Sequence, residues 1–157
     1  MPETGLAVSF AGVRRPFVLK EFPVPEPAAG AMIAKVMMAN VCGSDLHIWR
    51  GEYDLSRGEP EPYSRAIGHE MTGTVYKLGE GVTTDSAGKP LAIGDRVVYR
   101  YFVPCGTCRA CRRHTTPRCQ RGLRYRPPPE VFPPFNAAYG QFFICTPARP
   151  FTRCRTT

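Results

Sequence analysis

Cys42, His69 and Glu70 supply a thiolate, an imidazole and a carboxylate. That is the mixed ligand set of a zinc that keeps one position open for water or substrate. Such an ion is a Lewis acid: it lowers the pKa of a bound hydroxyl and stabilises the resulting alkoxide. The three residues stand in two short motifs, Cys42-Gly43-Ser44-Asp45-Leu46-His47 and Gly68-His69-Glu70-Met71-Thr72-Gly73-Thr74-Val75. Taken singly, a cysteine or a histidine is more often structural than catalytic, so the reading rests on the combination.

A second set is built differently. Cys105-x2-Cys108-x2-Cys111-x7-Cys119 places four thiolates where they can close on one tetrahedral ion, as a structural zinc requires. The same opening, C-x2-C-x2-C, begins the bacterial iron–sulfur pattern, but here the fourth cysteine follows after seven residues and no proline comes after it. Zinc is the better account; an iron–sulfur carrier would be brown, a zinc protein colourless. Between Pro104 and Cys119 there is almost no large apolar side chain. Metal binding, on the order of 10–16 kcal/mol in small zinc modules, must therefore hold this lobe together. His114 lies inside it, and with four sulfurs closing the tetrahedron it reads as a surface residue.

These sites need a scaffold. The chain has 157 residues, enough for one domain with a proper core. Seventeen prolines and fifteen glycines point to a turn-rich, mainly β architecture. Strands are expected over 5–10, 16–21, 32–39, 73–77, 95–101 and 141–146, where β-branched and aromatic residues concentrate. A short helix is expected over 44–50 with Ser44 as its cap. Residues 79–90 read as a polar excursion, and the proline-rich stretch 126–135 as a covering loop. No glycine-rich dinucleotide fingerprint is present.

Met1 to Phe10 has no signal-peptide pattern, and the most apolar region, 28–41, is broken by Lys35 and Asn40 and too short to span a bilayer. Seven cysteines with no secretion signal, four of them at metal spacing, point to a reducing cytoplasm. The formal charge of +8 is concentrated. From Val98 to Pro129 there are eight arginines (Arg100, Arg109, Arg112, Arg113, Arg118, Arg121, Arg124, Arg126) and no carboxylate. One account is a zinc-ribbon-like module that binds nucleic acid, with strongly salt-dependent affinity. The other is local: four thiolates around a zinc leave a net charge of about −2, which guanidiniums stabilise. Aromatic residues are not interleaved as a base-stacking platform requires, which favours the second.

The two motifs above, together with Gly94-Asp95-Arg96-Val97 and the cysteine quartet, resemble the zinc-dependent medium-chain dehydrogenase/reductases, which include alcohol, threonine and sorbitol dehydrogenases. The resemblance runs from about Val8 to Thr152. It implies a GroES-like β-barrel as the N-terminal catalytic domain (1–152, with a zinc lobe over about 104–120) of an oxidoreductase that passes hydride from a small alcohol or polyol to NAD or NADP. It implies Cys42 and His69 on a catalytic zinc, with Glu70 a direct ligand or a carboxylate exchanging with water. Asp45 would orient His69, Ser44 would take the alcohol proton, and His47 would pass it to solvent through a cofactor hydroxyl. The quartet would hold the structural zinc. Gly68, Gly73, Gly94 and Asp95 would serve turns and packing.

The resemblance also implies a following Rossmann domain that binds the nicotinamide cofactor. The sequence stops at Thr157 before one begins, and 153–157 reads as an aberrant or shortened tail. Codons for 152–157, read in a shifted frame, can spell Pro-Val-Pro-Asp-Asp, which resembles the continuation of relatives. A frameshifted or early-ended product is therefore expected, a deliberately shortened chain being the alternative; the downstream nucleotide sequence decides. Little turnover is expected of this stretch by itself. The full-length form is a candidate homo-oligomer, with no membrane partner.

Overall fold

A computed structural model describes residues 3–56, 58–99, 104–105, 107–115, 118–119, 134–146 and 151–154. The strands are β1 (Thr4–Phe10), β2 (Val18–Pro23), β3 (Met32–Ala39), β4 (Arg65–Ala66), β5 (Met71–Leu78), β6 (Arg96–Tyr99), β7 (Phe142–Cys145) and β8 (Phe151–Arg153). Two short helices are α1 (Gly43–Trp49) and α2 (Arg109–Arg112). The strands form a three-stranded sheet, β2-β1-β4, and a five-stranded one, β7-β3-β5-β6-β8. The run into β7 joins them: Tyr139 and Gln141 exchange backbone hydrogen bonds with Val8 and Leu6 of β1, and Gln141 also accepts from Leu6 N–H through its side chain. The mainly β architecture with a few short helices expected from the sequence is the one found.

The core follows from strand periodicity, since alternate side chains face opposite sides of a sheet. In β3, Met32 and Ala34 enter a cluster with Val75, Leu91, Val97, Phe143 and Cys145, while Ile33 faces the other way among Ala7, Val24, Phe135, Phe142 and Ile144. Strand β7 divides its residues in the same manner, so both faces of this pair are buried. Each large side chain so enclosed contributes roughly 1.5–3 kcal/mol. A third cluster, Phe10, Ile48, Tyr63 and Ile67 with Trp49 packed against it, seats α1 on the barrel.

Expected and observed elements differ mostly at their ends. Strand β2 begins two residues later than expected because its register is set by pairing with β1, from Thr4↔Pro23 to Ser9↔Val18. The cap of α1 is Cys42, not Ser44: the carboxylate of Asp45 accepts the Cys42 N–H at 3.0 Å, and Ser44 falls in the first turn. The proline-rich stretch 126–133, the arginines at 100, 121, 124 and 126, and the end of the chain from 155 lie outside the described residues. The boundary expected between 152 and 153 falls inside β8, where Arg153 pairs with Val97, and Cys154 N–H donates to Arg96 C=O at 2.8 Å.

The 79–90 excursion is fastened by one buried carboxylate. Asp85 accepts the backbone N–H groups of Arg153 at 2.8 Å and of Lys89 and Ala87 at 2.9 Å, so it ties the turn to the end of β8. These bonds, that from Arg153 first, hold its pKa below the ordinary value of 3.8. A depressed folded pKa contributes stability that is fully present above the ordinary value and lost as pH falls below it toward the folded one. Asp85→Ala is expected to cost about 2–4 kcal/mol in urea unfolding near neutral pH, since three backbone donors lose a buried, charged acceptor. The difference should shrink below pH 4. A loss under about 0.5 kcal/mol at neutral pH would show that the carboxylate is not the fastener.

Candidate metal centres

Strand pairing brings the first set together. The β3–β5 ladder runs out at Ala39↔Met71, and Asn40 N–H still donates to Glu70 C=O at 3.2 Å. Three residues beyond one strand lies Cys42; immediately before the other lie His69 and Glu70. Their ligand atoms are all within 4.8 Å of one another. The three line or adjoin a cleft of about 350 Å³ formed by Met38, Asn40, His69, Glu70, Met71, Thr72 and Tyr99.

The segment that leads into β7 fixes the loop that carries His69. Ala138 N–H donates to Gly68 C=O and Tyr139 N–H to Ile67 C=O. Gly68 has φ +91°, and a Cβ there would lie 2.6 Å from the Tyr139 ring. No other residue both adopts that conformation cheaply and lets the ring lie so close.

Asp45 is the hub. Its Oδ2 accepts from Cys42 N–H at 3.0 Å and from Tyr139 Oη–H at 2.8 Å, while Oδ1 faces His69 Nδ1 at 3.4 Å. The Asp45 and His69 side chains are 4% and 10% exposed. Burial, then the bond to Asp45, pushes the Tyr139 hydroxyl well above the ordinary phenol range, so it remains a donor. With Nδ1 turned to a carboxylate, His69 presents Nε2 to the space shared with Cys42 and Glu70, the usual arrangement of a metal-binding imidazole. The side chains present therefore fit a zinc.

Ser44 Oγ lies 3.2 Å from His69 Nε2. His47, one helical turn on, is half-exposed; its Nδ1 bonds the Glu52 carboxylate, and its ring meets Tyr53 edge-on with centroids 5.7 Å apart. Of the 49–53 loop, Trp49 turns to the third core cluster and donates to Arg15 C=O at 3.1 Å, leaving Tyr53 on the exposed side. Tyr139 and Glu52 are site neighbours that motif reading did not select. Tyr139 is 94 residues from Asp45, so nothing local signals it.

The quartet also converges, again within 4.8 Å. Sulfur separations are 3.9 Å for Cys105–Cys111, 3.5 Å for Cys108–Cys111 and 3.9 Å for Cys108–Cys119. A tetrahedron with Zn–S bonds of about 2.3 Å has edges of about 3.8 Å, so the thiolates already outline the cage. The Thr107 hydroxyl, followed by the Cys108 N–H, holds the Cys105 thiol down to about 6, which favours the ligating thiolate. His114 is exposed and outside the cluster.

The fold thus carries a Cys–His–Glu cluster at the end of the β3–β5 ladder and a separate four-thiolate lobe. The model of the alcohol dehydrogenase GroES-like domain matches residues 28–149. The chain belongs to the zinc-dependent medium-chain dehydrogenase family, of which it comprises the N-terminal GroES-like domain. It is 41% identical over 91 residues to 5-exo-hydroxycamphor dehydrogenase of Pseudomonas putida, covering 58% of this chain and 24% of that protein. It is 37% identical over 103 residues to L-threonine 3-dehydrogenase of Pyrococcus horikoshii, covering 65% and 27%. Among solved structures, an alcohol dehydrogenase of Thermotoga maritima superposes with a TM-score of 0.82 at 26% identity, covering 98% of this chain and 41% of that one. The chain thus spans about a quarter of the length of these curated relatives. Among the described residues, no helix is long and apolar enough to cross a membrane.

Proposed function

We propose that this domain is the catalytic half of an NAD- or NADP-linked dehydrogenase of small alcohols or polyols. Cys42, His69 and Glu70 hold its catalytic zinc, and Cys105, Cys108, Cys111 and Cys119 hold a structural one. The observation that carries the reading is the buried Asp45 carboxylate against His69 Nδ1, with Cys42 and Glu70 converging on the other side of the ring. When bound, a zinc there supplies Lewis acidity to the substrate oxygen.

The chain's own residues do the rest. Asp45 and Tyr139 orient His69 and keep water from its Nδ1 side. Ser44 Oγ, beside His69, takes the hydroxyl proton, and His47 on the exposed side of α1 passes it to solvent; a cofactor hydroxyl would bridge the two. The cleft bounded by Met38, Met71 and Tyr99 receives the carbon skeleton. A nicotinamide cofactor, held by a Rossmann domain, would supply the acceptor for the hydride of the carbinol carbon. The 157 residues contain no dinucleotide fingerprint, so this stretch by itself is proposed to bind metal without turning over an alcohol. A cytoplasmic, homo-oligomeric enzyme belongs to the same reading.

Metal analysis and turnover test it together. The purified chain should carry about two zinc ions, falling to one in Cys42→Ser. Joined to its cofactor domain, it should reduce NAD or NADP in the presence of an alcohol and lose that activity with Cys42→Ser. Unchanged zinc content or unchanged turnover in that variant would sink the assignment.

A further inference from the structure

Helix α1 ends in a closure that reaches into the proposed relay. Gly51, just past the helix, has φ +82°. Its N–H donates to Ile48 C=O at 3.0 Å, and the next N–H, that of Glu52, donates to His47 C=O at 2.8 Å. These are the five-to-two and six-to-one bonds of a Schellman motif. Its geometry sets the side chain two residues past the helix end against that of the third residue from the end, a contact commonly apolar. Here the two side chains are Glu52 and His47, and they meet through a carboxylate and Nδ1. Gly51 is required twice: L-residues adopt this φ at a cost, and a Cβ there would stand 2.9 Å from Val13 Cγ2.

Their side chains are 44% and 49% exposed, so the pair adds little to stability. Its consequence is orientation. A carboxylate can only accept, so the ring nitrogen facing it must carry the proton, and the other is left as an acceptor. Tyr53, packed edge-on to the imidazole, restricts the ring from turning away.

We propose that Glu52 is the positioning residue of the His47 relay, fixing its imidazole as the Nδ1–H tautomer with Nε2 free to accept a proton. This rests on the relay role proposed for His47. A proton arriving at Nε2 forms the imidazolium beside the Glu52 carboxylate. The imidazolium then gives one proton to bulk water and returns to the Nδ1–H form, with no net change in the protein.

Imidazole nitrogen shifts in long-range proton–nitrogen spectra, recorded where His47 is neutral, read the tautomer directly. The wild-type chain should show a protonated Nδ1 and a bare Nε2. Glu52→Ala should give a mixture of tautomers. Gly51→Ala should do the same with Glu52 still present, because the closure is lost. Glu52→Gln, whose Oε1 still accepts, should keep the wild-type form. A bare Nδ1 in the wild type, or Ala and Gln variants that behave alike, would overturn the proposal. In the enzyme joined to its cofactor domain, Glu52→Ala should lower kcat roughly tenfold at unchanged KM, less than the hundredfold or more a proton-transfer group supplies. If His47→Asn leaves turnover intact while the tautomer results hold, the relay reading fails, and the proposal with it. If His47→Asn abolishes turnover while Glu52→Ala leaves the ring unchanged, the relay stands and Glu52 has no part in it.

Discussion

Cys111→Ser should leave the chain with one zinc instead of the two proposed, and should unfold the lobe from Cys105 to Cys119 while the barrel stays folded. Among the described residues, the lobe has no apolar core to fall back on: the buried cluster there consists of Cys111 and Cys119, with Cys105 and Cys108 packed on them. Beyond the single turn of α2 and the backbone bonds around it, three sulfur–sulfur contacts and the amide donors of Cys105 and Cys108, directed at Cys119 and Cys105 sulfurs, tie it together. Without metal, four polarised thiols crowd one another. With metal, the full site is worth on the order of 10–16 kcal/mol, and one ligand in four forfeits enough of that to tip a coreless segment open. The barrel's clusters share no residue with the lobe, so their stability is a separate quantity. Metal content combined with amide hydrogen exchange checks this. Protection should vanish over the lobe and persist in β3 and β5; two zinc ions retained, or protection lost in both regions together, would contradict it.

How far the sequence speaks depends on whether the deciding force is local. Strand β3 was legible to the residue because Met32, Ile33 and Ala34 are apolar on both faces and no glycine or proline interrupts the run to Ala39. The four-cysteine spacing is legible for a comparable reason: a single ion must be reached by a short piece of chain, so the constraint is written within fifteen residues. Strand β4 is only Arg65 and Ala66, paired to Phe10 and Ser9, and nothing in two residues announces a partner fifty positions upstream. Arg65 shows the same limit. Its buried guanidinium serves the carbonyls of Leu55, Ser56 and Ser64 and the Glu59 carboxylate, a set assembled by the fold. At the site, the ligand types were readable from residue chemistry, while the role expected of Asp45 came from resemblance. Tyr139, which completes the Asp45 hub, was visible only once β1 and β7 had been brought together. Glu52 lies between these cases. A glycine directly after a short helix with an acid behind it is a local signal, and its meaning depends on His47 standing five residues earlier.

Asp45→Asn should cost the Cys42–His69–Glu70 site 10–100-fold in zinc affinity while leaving the four-cysteine site untouched. The substitution keeps volume and removes a charge, so the argument turns on donors and acceptors. Two donors, Cys42 N–H and Tyr139 Oη–H, converge on Oδ2. The asparagine must therefore set its carbonyl oxygen there, because the alternative leaves Cys42 N–H facing an amide NH2 and turns Tyr139 Oη–H to its other acceptor, Asn40 C=O at 3.1 Å. Its NH2 then replaces Oδ1 and faces His69 Nδ1, which has to become an acceptor. The imidazole proton moves to Nε2, and an Nε2–H cannot bind a metal. Ser44, 3.2 Å from that nitrogen, would accept its proton and reinforce the wrong form. Zinc must then be bound at the expense of the Tyr139 and Cys42 bonds, or with a donor facing a donor. Zinc titration against a chelating indicator, with the lobe already loaded, gives the affinity, and nitrogen shifts of the His69 ring give the tautomer. An unchanged affinity would remove Asp45 from the support of the metal centre. A weakened site with His69 still protonated at Nδ1 would assign the loss to charge instead of tautomer, which Asp45→Glu and Tyr139→Phe, taken together, would separate from simple repacking.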